Sequence, residues 1–263
     1  MNSAENIALL LTSKLIAIAL IFQTIELIQL KNTFSNAGIW IWKDFKQDFS
    51  IFPRSVQQII SLILRYPNFL FVLNLRLIAA FCLLFFQVKI LFVLLLFSTI
   101  LILLRWRGTF NGGSDYMTLV ILMSITLATL FKNKNLVLLG CLWYIGIQTC
   151  LSYFISGLVK VKVKKWREGS ALKAFIFSSN YDQPNFIKQF FKNKTLCLLS
   201  SWAVICFELC FPLAFLNPTI CLLFIITAFV FHLGNFYVFG LNRFLFAWLA
   251  SYPALYFCSG GWG

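Results

Sequence analysis

The chain has 263 residues, of which 60% are hydrophobic and only 11% are charged, and its mean hydropathy is +0.87. A soluble domain is about 25% charged, so this composition excludes a soluble globular domain, a disordered chain and a small disulfide scaffold. The 22 Lys and Arg outnumber the eight Asp and Glu, which gives a net charge of +14. Cations in so apolar a chain indicate an integral membrane protein with basic loops rather than a nucleic-acid binder.

Apolar stretches long enough to cross a bilayer recur along the whole chain. A crossing helix needs about 20 apolar residues. We therefore predict an all-α, polytopic transmembrane helix bundle of about eight spans, at 6–30, 68–86, 90–104, 116–131, 136–160, 195–215, 218–239 and 244–258. The third and fourth are short, so six or seven crossings are alternatives. We divide the chain into 1–67, a span plus an interfacial segment, and 68–263, the main bundle.

The connection at 31–67 combines aromatic and charged residues before an apolar periodicity begins. Trp40, Trp42 and their aromatic neighbours alternate with lysines and aspartates, and Val56, Ile59 and Ile63 then recur at helical spacing. This pattern is typical of amphipathic helices that lie on a membrane surface.

The distribution of Lys and Arg between the predicted spans indicates their orientation. If the connection at 31–67 faces the cytoplasm, the connections on that side hold 17 Lys and Arg, nine of them at 160–194. The connections on the other side then hold three. Positive residues concentrate in cytoplasmic loops. We therefore expect both termini outside, the long basic loops in the cytoplasm, and a bacterial inner membrane as the location.

All eight cysteines lie in apolar stretches, and no CxxC pair occurs. Cys206 and Cys210 stand four residues apart, one helical turn. Such cysteines usually pack as small hydrophobic residues, with a redox pair as the alternative. We expect no metal site.

A few polar residues fall inside the predicted spans. An ionisable residue at the centre of a membrane helix costs roughly 2.5–3.5 kcal/mol on insertion scales, so each is a functional candidate. Arg76 needs a carboxylate, a lipid phosphate or carbonyl groups. Glu208 is a candidate partner, either as a structural ion pair or as a substrate anchor. His232 and Asn235 share one helix face and form a polar patch, and a satisfied core histidine is the alternative interpretation.

Lys160 lies where a predicted span meets the largest basic cluster. Tyr153, Gly157 and Lys160 are spaced i, i+4 and i+7, so they share one face of a helix. A lysine amine removed from water can act as a general base. The lysines that follow at 162–165 support the alternative, a basic juxtamembrane segment that attracts anionic lipid.

Two separated motifs resemble one protein family. The stretch 153–160 reads Tyr-Phe-Ile-Ser-Gly-Leu-Val-Lys and precedes Trp-Arg-Glu-Gly at 166–169. It resembles the vitamin K-dependent gamma-glutamyl carboxylases and the wider HTTM (horizontally transferred transmembrane) superfamily, in which Tyr-Phe-Ile-Ala-Gly-x-x-Lys precedes Trp-x-Glu-Gly. His232, with Leu-Ala-Ser-x-Pro beginning seventeen residues later at Leu249, is similar to a second family segment.

Further positions extend the resemblance over about 70–258. Arg107 with Asn-Gly-Gly-Ser-Asp at 111–115 is similar to an Asn-Gly-Gly-Asp turn common in HTTM proteins, and Arg76 and Glu208 resemble polar family positions. Gly113 stands where the carboxylases have a histidine, and the interval from Lys160 to the tryptophan is one residue longer than in the animal enzymes. We also expect the chain, which ends at Gly263, to lack the large extramembrane substrate domain.

The resemblance implies a mechanism and a site. By this resemblance, Lys160 is expected to act as the catalytic base on a reduced quinone such as vitamin K, whose oxygenated form removes a gamma proton from a glutamate that then captures carbon dioxide. His232 is the second catalytic residue. The implied substrate or cofactor pocket contains Asn235, Tyr153, Gly157, Trp166, Glu168, Arg76, Glu208, Arg107, Asn111 and Asp115.

These inferences lead to two hypotheses. The first is a minimal quinone-linked membrane enzyme with a lysine base that modifies a lipid-like substrate, or a peptide before or during export. The second is a non-catalytic HTTM partner for the maturation, export or immunity of a secreted peptide. A transporter is disfavoured because no internal repeat is apparent. The expected partners are membrane lipids and a peptide substrate or small protein, with no nucleic acid.

Overall fold

The computed structural model describes residues 3–106, 112–181 and 183–262. Within these ranges the chain forms 13 α-helices and no β-strand, so the predicted all-α fold is confirmed. The helices belong to two compact units. The N-terminal unit is Leu10–Leu138, and the C-terminal unit is Met1–Leu9 together with Leu139–Gly263.

The N-terminal unit contains most of the first helix and five further helices. In chain order these are α1 (Ala4–Gln29), α2 (Trp42–Phe45), α3 (Arg54–Leu64), α4 (Asn68–Phe85), α5 (Lys89–Arg105) and α6 (Gly112–Leu130), with a 3-10 turn at Lys46–Phe49. Sequence neighbours pack together, α4 on α5 and α5 on α6. Helices α2 and α3 lie between the first two predicted spans, where the sequence predicts helices on a membrane surface.

Buried aromatic rings join the segment before α4 to the ends of α4 and α5. Phe34 packs edge-on against Phe69, with ring centroids 5.4 Å apart, and against Trp106 at 5.6 Å. Trp42 and Leu64 belong to the same buried cluster. Burial of these side chains stabilises the position of α2 and α3 within the unit.

The C-terminal unit contains most of the longest helix and six more. These are α7 (Asn135–Lys162), α8 (Lys164–Arg167), α9 (Ser170–Ile176), α10 (Asn185–Phe190), α11 (Lys194–Cys210), α12 (Pro218–Phe239) and α13 (Asn242–Cys258), with a 3-10 segment Phe211–Phe215 after α11. The short helices α8 and α9 pack on α11, and α12 packs on α13.

Local sequence signals set the ends of α12. The Asn217 side chain caps its first turn by accepting from the backbone N–H of Ile220, and Pro218 occupies the first helical position. Gly240 ends the helix in the left-handed region at φ 67°. These two signals hold α12 in the register that places His232 on its inner face.

Six of the described helices are long and apolar enough to cross a membrane, so the chain is an integral membrane protein. All eight predicted spans coincide with helices, but the third and eighth are α5 and α13, each of 17 residues. The fourth span was expected to be short, and this expectation is wrong, because α6 begins at Gly112 and has 19 residues. Its first turn reads Gly-Gly-Ser-Asp, and these residues are too polar to be included in an apolar window.

Candidate functional site

A close approach of α7 to α11 forms the centre of the site. Gly157 lies where these helices meet, and a Cβ atom at this position would lie 2.9 Å from the backbone nitrogen of Leu209. Small residues permit such approaches between membrane helices. Gly157 therefore allows Lys160, one turn further along α7, to reach the acidic side chain that precedes Leu209 on α11.

That acidic side chain is Glu208, and it forms a buried ion pair with Lys160. The lysine Nζ lies 2.7 Å from both carboxylate oxygens and donates to the Ser156 hydroxyl at 2.6 Å. Ser156 in turn donates to Glu208 at 3.2 Å. The side chains of Lys160 and Glu208 are 15% and 4% exposed. The carboxylate that the sequence offered to Arg76 is therefore bound to Lys160, and the expected Arg76 pairing is wrong.

The motif that follows Lys160 supplies an aromatic wall. The Lys160 ammonium lies 5.3 Å from the centroid of a Trp166 ring, within the range of a cation–π contact. Gly169, at φ 73°, begins α9 in the left-handed conformation, and a Cβ there would lie 2.7 Å from the Leu198 nitrogen on α11. The Trp166 carbonyl accepts from Ser201. These contacts hold α8 and its tryptophan against α11.

Glu168, which the sequence placed in the pocket, points elsewhere. Its carboxylate pairs with Lys164 at 3.5 Å, and both side chains are more than half exposed. An exposed i,i+4 pair of this kind contributes little to stability. The structure therefore places Glu168 on the surface of the unit, outside the residues that line the cavity.

A second polar network connects α7, α12 and α13. The Tyr153 hydroxyl lies 2.7 Å from His232 Nε2 and 3.0 Å from the Tyr252 hydroxyl. The His232 ring packs against Trp248, with centroids 5.2 Å apart. The side chain is 4% exposed, and among the described residues nothing bonds to its Nδ1. Buried imidazole nitrogens are normally hydrogen-bonded. Because no described residue bonds to Nδ1, this nitrogen is available to a ligand.

Both networks line one cavity of about 310 Å³ in the C-terminal unit. Its lining includes six residues that the sequence selected: Tyr153, Lys160, Trp166, Glu208, His232 and Asn235. The remaining lining residues are Ser152, Ser156, Leu172, Phe175, Tyr181, Val204, Phe231, Phe239, Leu241, Phe244 and Trp248. Most of these are aliphatic or aromatic, so the cavity combines apolar walls with two polar clusters, an arrangement typical of ligand pockets.

Sequence reasoning missed three polar contributors. Ser156 occupies the position where the family motif has alanine, and that departure was the signal for a lysine partner. Tyr252 is the unspecified residue of the Leu-Ala-Ser-x-Pro segment. Trp248, whose indole nitrogen donates to Ser152 at 3.1 Å, stands just before the same segment. The roles of Tyr252 and Trp248 could be recognised only from the tertiary structure, because their hydrogen-bond partners lie far away along the chain.

Arg76 belongs to a separate network in the N-terminal unit. It is 2% exposed, and its guanidinium donates to Thr24 at 3.0 Å, to Thr99 at 2.6 Å and to Gln23 Oε1 at 2.7 Å. The Gln23 Nε2 group in turn donates to Asp115 Oδ1 at 3.1 Å. Two selected residues, Arg76 and Asp115, are thus connected through one amide, and they hold α1, α4, α5 and α6 together.

The other two selected residues, Arg107 and Asn111, lie outside the described residues. Comparison of the chain with protein-family models, with curated proteins and with solved structures found no match. The case for function therefore depends on the chemistry of the cavity and on the sequence resemblance.

Proposed function

We propose that the protein is a membrane enzyme of the HTTM and vitamin K-dependent carboxylase type, which binds a reduced quinone in the C-terminal cavity and uses Lys160 in proton transfer. One observation carries the proposal. An apolar cavity in a membrane protein is lined by a buried lysine–glutamate pair and by a histidine with an unused nitrogen. Buried ionisable groups are costly in a membrane protein, so their presence around one cavity favours a chemical role.

The walls of the cavity suit a quinone ring with an apolar tail. Phe244 stacks on Trp248 with ring centroids 5.2 Å apart, which offers a flat aromatic surface. His232 Nδ1 and the Asn235 side chain are available to bond to a polar head, since neither makes a side-chain hydrogen bond at these atoms within the described part of the chain. When bound, a reduced quinone would supply ionisable hydroxyl groups and reducing equivalents.

The geometry supports shared proton handling by Lys160 and Glu208. An ammonium group cannot accept a proton, so Lys160 acts as a base only after giving one up. Glu208, with both oxygens 2.7 Å from Nζ, is positioned to take that proton and to return it. Ser156 bonds to both groups and keeps them aligned. The family resemblance implies that the lysine alone is the base, whereas we propose that Lys160 and Glu208 act together in proton transfer.

His232 would orient the ligand rather than act as the first proton acceptor. Its Nε2 is engaged by Tyr153, whose hydroxyl is also held by Tyr252. These bonds set the ring plane and direct the remaining nitrogen. We further propose that the Lys160 end of α7 faces the cytoplasm of a bacterium, as the Lys and Arg distribution indicates, and that the final substrate is a peptide or a lipid-like molecule.

The test uses purified full-length protein in nanodiscs with menaquinol as the probe. Oxidation of menaquinol and mass change in a co-expressed peptide are measured for wild type, Lys160→Ala and His232→Ala. The matched control is Lys162→Ala, which removes an exposed lysine two residues downstream on α7. We expect a loss of roughly a hundredfold or more for Lys160→Ala, the usual contribution of a general base, and wild-type behaviour for the control. Unchanged turnover in both site variants would refute the mechanism.

A non-catalytic role as a partner of a secreted peptide is the second candidate, and one observation favours it. The Lys160 ammonium is already bonded to Ser156 and to both oxygens of Glu208, as expected for a pair that only holds helices together. In that case a peptide complex would survive in a Lys160→Met, Glu208→Met double variant. If the double variant folds normally but no longer supports menaquinol oxidation or peptide modification, the enzyme hypothesis is favoured.

A further inference from the structure

The N-terminal unit contains a polar crevice that the proposed enzyme does not use. It lies between α2, the following 3-10 turn and α3, and its volume is about 480 Å³. Trp42, Lys46, Gln47, Phe49, Ser50, Arg54, Gln57, Gln58 and Ser61 line it. All of these residues belong to one short stretch of chain that folds back on itself, so the crevice is complete within this segment.

The chemistry of the crevice is cationic and rich in donors. Lys46 and Arg54 line it, and neither has a carboxylate partner among the described residues. Asp44 and Asp48 occur on the same segment, but no carboxylate is among the described side chains that form the lining. Two unpaired cations beside hydroxyl and amide groups form an environment that favours an anion with several oxygen atoms.

Internal hydrogen bonds stabilise the walls of the crevice. The Trp42 indole nitrogen donates to the Ser61 hydroxyl at 2.8 Å, which ties α2 to α3. Gln57 donates to the Phe52 carbonyl at 2.7 Å. The shape of the crevice is therefore present before a ligand binds, which lowers the cost of binding.

A buried cation beside the Trp42 ring adds to the positive potential. The Arg105 guanidinium lies 5.9 Å from the Trp42 ring centroid and is 1% exposed. It donates to the carbonyls of Leu64 and Trp40, while its Nη1 has no partner within the described residues. A charge held in a poorly solvated position is weakly screened, so it strengthens the attraction of an anion in the crevice that Trp42 lines.

The outer surface of α3 indicates that the anion belongs to a membrane lipid. Arg54, Gln58 and Ser61 are spaced i, i+4 and i+7 and share one face, whereas Ile59 and Leu62, 58% and 55% exposed, project beside them. Exposed aliphatic side chains beside a cationic face are typical of a helix in the bilayer interface. A helix in that position holds its cationic side at the level of lipid headgroups.

We propose that this crevice binds the phosphate of an anionic phospholipid headgroup, with Lys46 and Arg54 as its charged ligands. The two cations neutralise the phosphate, and Gln58 and Ser61 supply hydrogen bonds. Ile59 and Leu62 contact the adjoining acyl region. The inference is independent of the quinone pocket, because it involves different residues in the other unit.

The test measures lipid retention by the full-length protein in detergent micelles by native mass spectrometry. Phosphatidylglycerol is the probe, phosphatidylcholine is the zwitterionic comparison, and glycerol 3-phosphate is the free-phosphate competitor. The test variant is Lys46→Gln with Arg54→Gln. The matched control is Lys43→Gln with Arg65→Gln, which removes two exposed cations from the same segment that do not line the crevice. A thermal unfolding curve of each variant verifies the fold.

We expect the first phosphatidylglycerol to bind about 25-fold more weakly to the test variant, a factor of about five for each cation lost, with little change in the control. Equal loss in both double variants would show diffuse attraction and would overturn the proposal. So would equal retention of phosphatidylcholine by the wild type. Displacement of the lipid by glycerol 3-phosphate at comparable concentration would assign the site to a soluble phosphate and overturn the lipid assignment.

Discussion

Replacing Lys160 with methionine tests the ion pair between α7 and α11 most directly. Methionine keeps much of the length of the side chain but leaves the Glu208 carboxylate, 4% exposed, without its partner. Removal of one member of a buried ion pair costs about 3–5 kcal/mol, since the remaining charge is desolvated and unpaired. Because Glu208 is the more buried member, we expect the change in the free energy of unfolding to lie toward the upper end of that range.

The reverse replacement should be milder. Glu208→Met leaves a lysine that is 15% exposed and lies in the last turns of α7, so its flexible stem allows the ammonium to reach water. We expect a loss of about 1–3 kcal/mol for this variant, the usual cost of leaving one polar group without its partner. The double variant removes both charges, and its stability should return to within about 1 kcal/mol of wild type, because replacing a buried ion pair by apolar residues of similar volume is often neutral.

The assay is reversible unfolding in mixed detergent micelles, followed by tryptophan fluorescence, for the four members of this double-mutant cycle. The exposed pair Lys164–Glu168 provides the control cycle, because its members are 3.5 Å apart and solvated. Its coupling energy should stay below about 1 kcal/mol. If the Lys160 and Glu208 losses simply added in the double variant, the pair would carry no coupling and the reasoning would be refuted.

Three further predictions concern other contacts. Gly157→Ala should lower stability by about 1–3 kcal/mol by forcing α7 from α11, whereas Gly140→Ala, where a Cβ meets nothing within 4 Å, should be neutral or stabilising in the same unfolding assay. Arg76→Lys should lower the free energy of unfolding by about 1.5–3 kcal/mol, because one ammonium cannot reach all the acceptors that the guanidinium joins. Wild-type stability of the Arg76→Lys variant would contradict this. His232→Phe keeps an aromatic ring against Trp248 but removes both nitrogens, so menaquinol affinity measured by fluorescence titration should fall about tenfold, the effect of one lost hydrogen bond. Unaltered affinity would exclude His232 from the ligand site.

Much of the architecture was predictable because apolar composition is a local property. Every predicted span coincides with a helix, and the polar residues singled out within them include both members of the Lys160–Glu208 pair. The start of α6 was predicted too late, since a polar first turn around Asp115 obscures the hydropathy signal of the helix. The family motifs also directed attention to Tyr153 and Lys160, although motif membership did not show that Glu168 lies on the surface.

The pairing of polar groups could not be read along the chain. The sequence suggested Glu208 as a partner of Arg76, and only the approach of α7 to α11 at Gly157 shows that it pairs with Lys160. Arg76 instead bonds to neutral hydroxyl and amide groups such as Thr24. Both outcomes depend on which helices pack together, and helical periodicity contains no information about that.

The sequence by itself determined that this is a helical membrane protein and that a few costly polar residues need an explanation, because hydropathy and charge act through local composition. The tertiary structure decided which of those residues share a site. It joins Lys160 with Glu208, and Tyr153 with His232, around one cavity, and it places Arg76 in a different unit. A buried charge is tolerated only where a partner comes within hydrogen-bonding distance, and that distance is set by helix packing rather than by position in the chain.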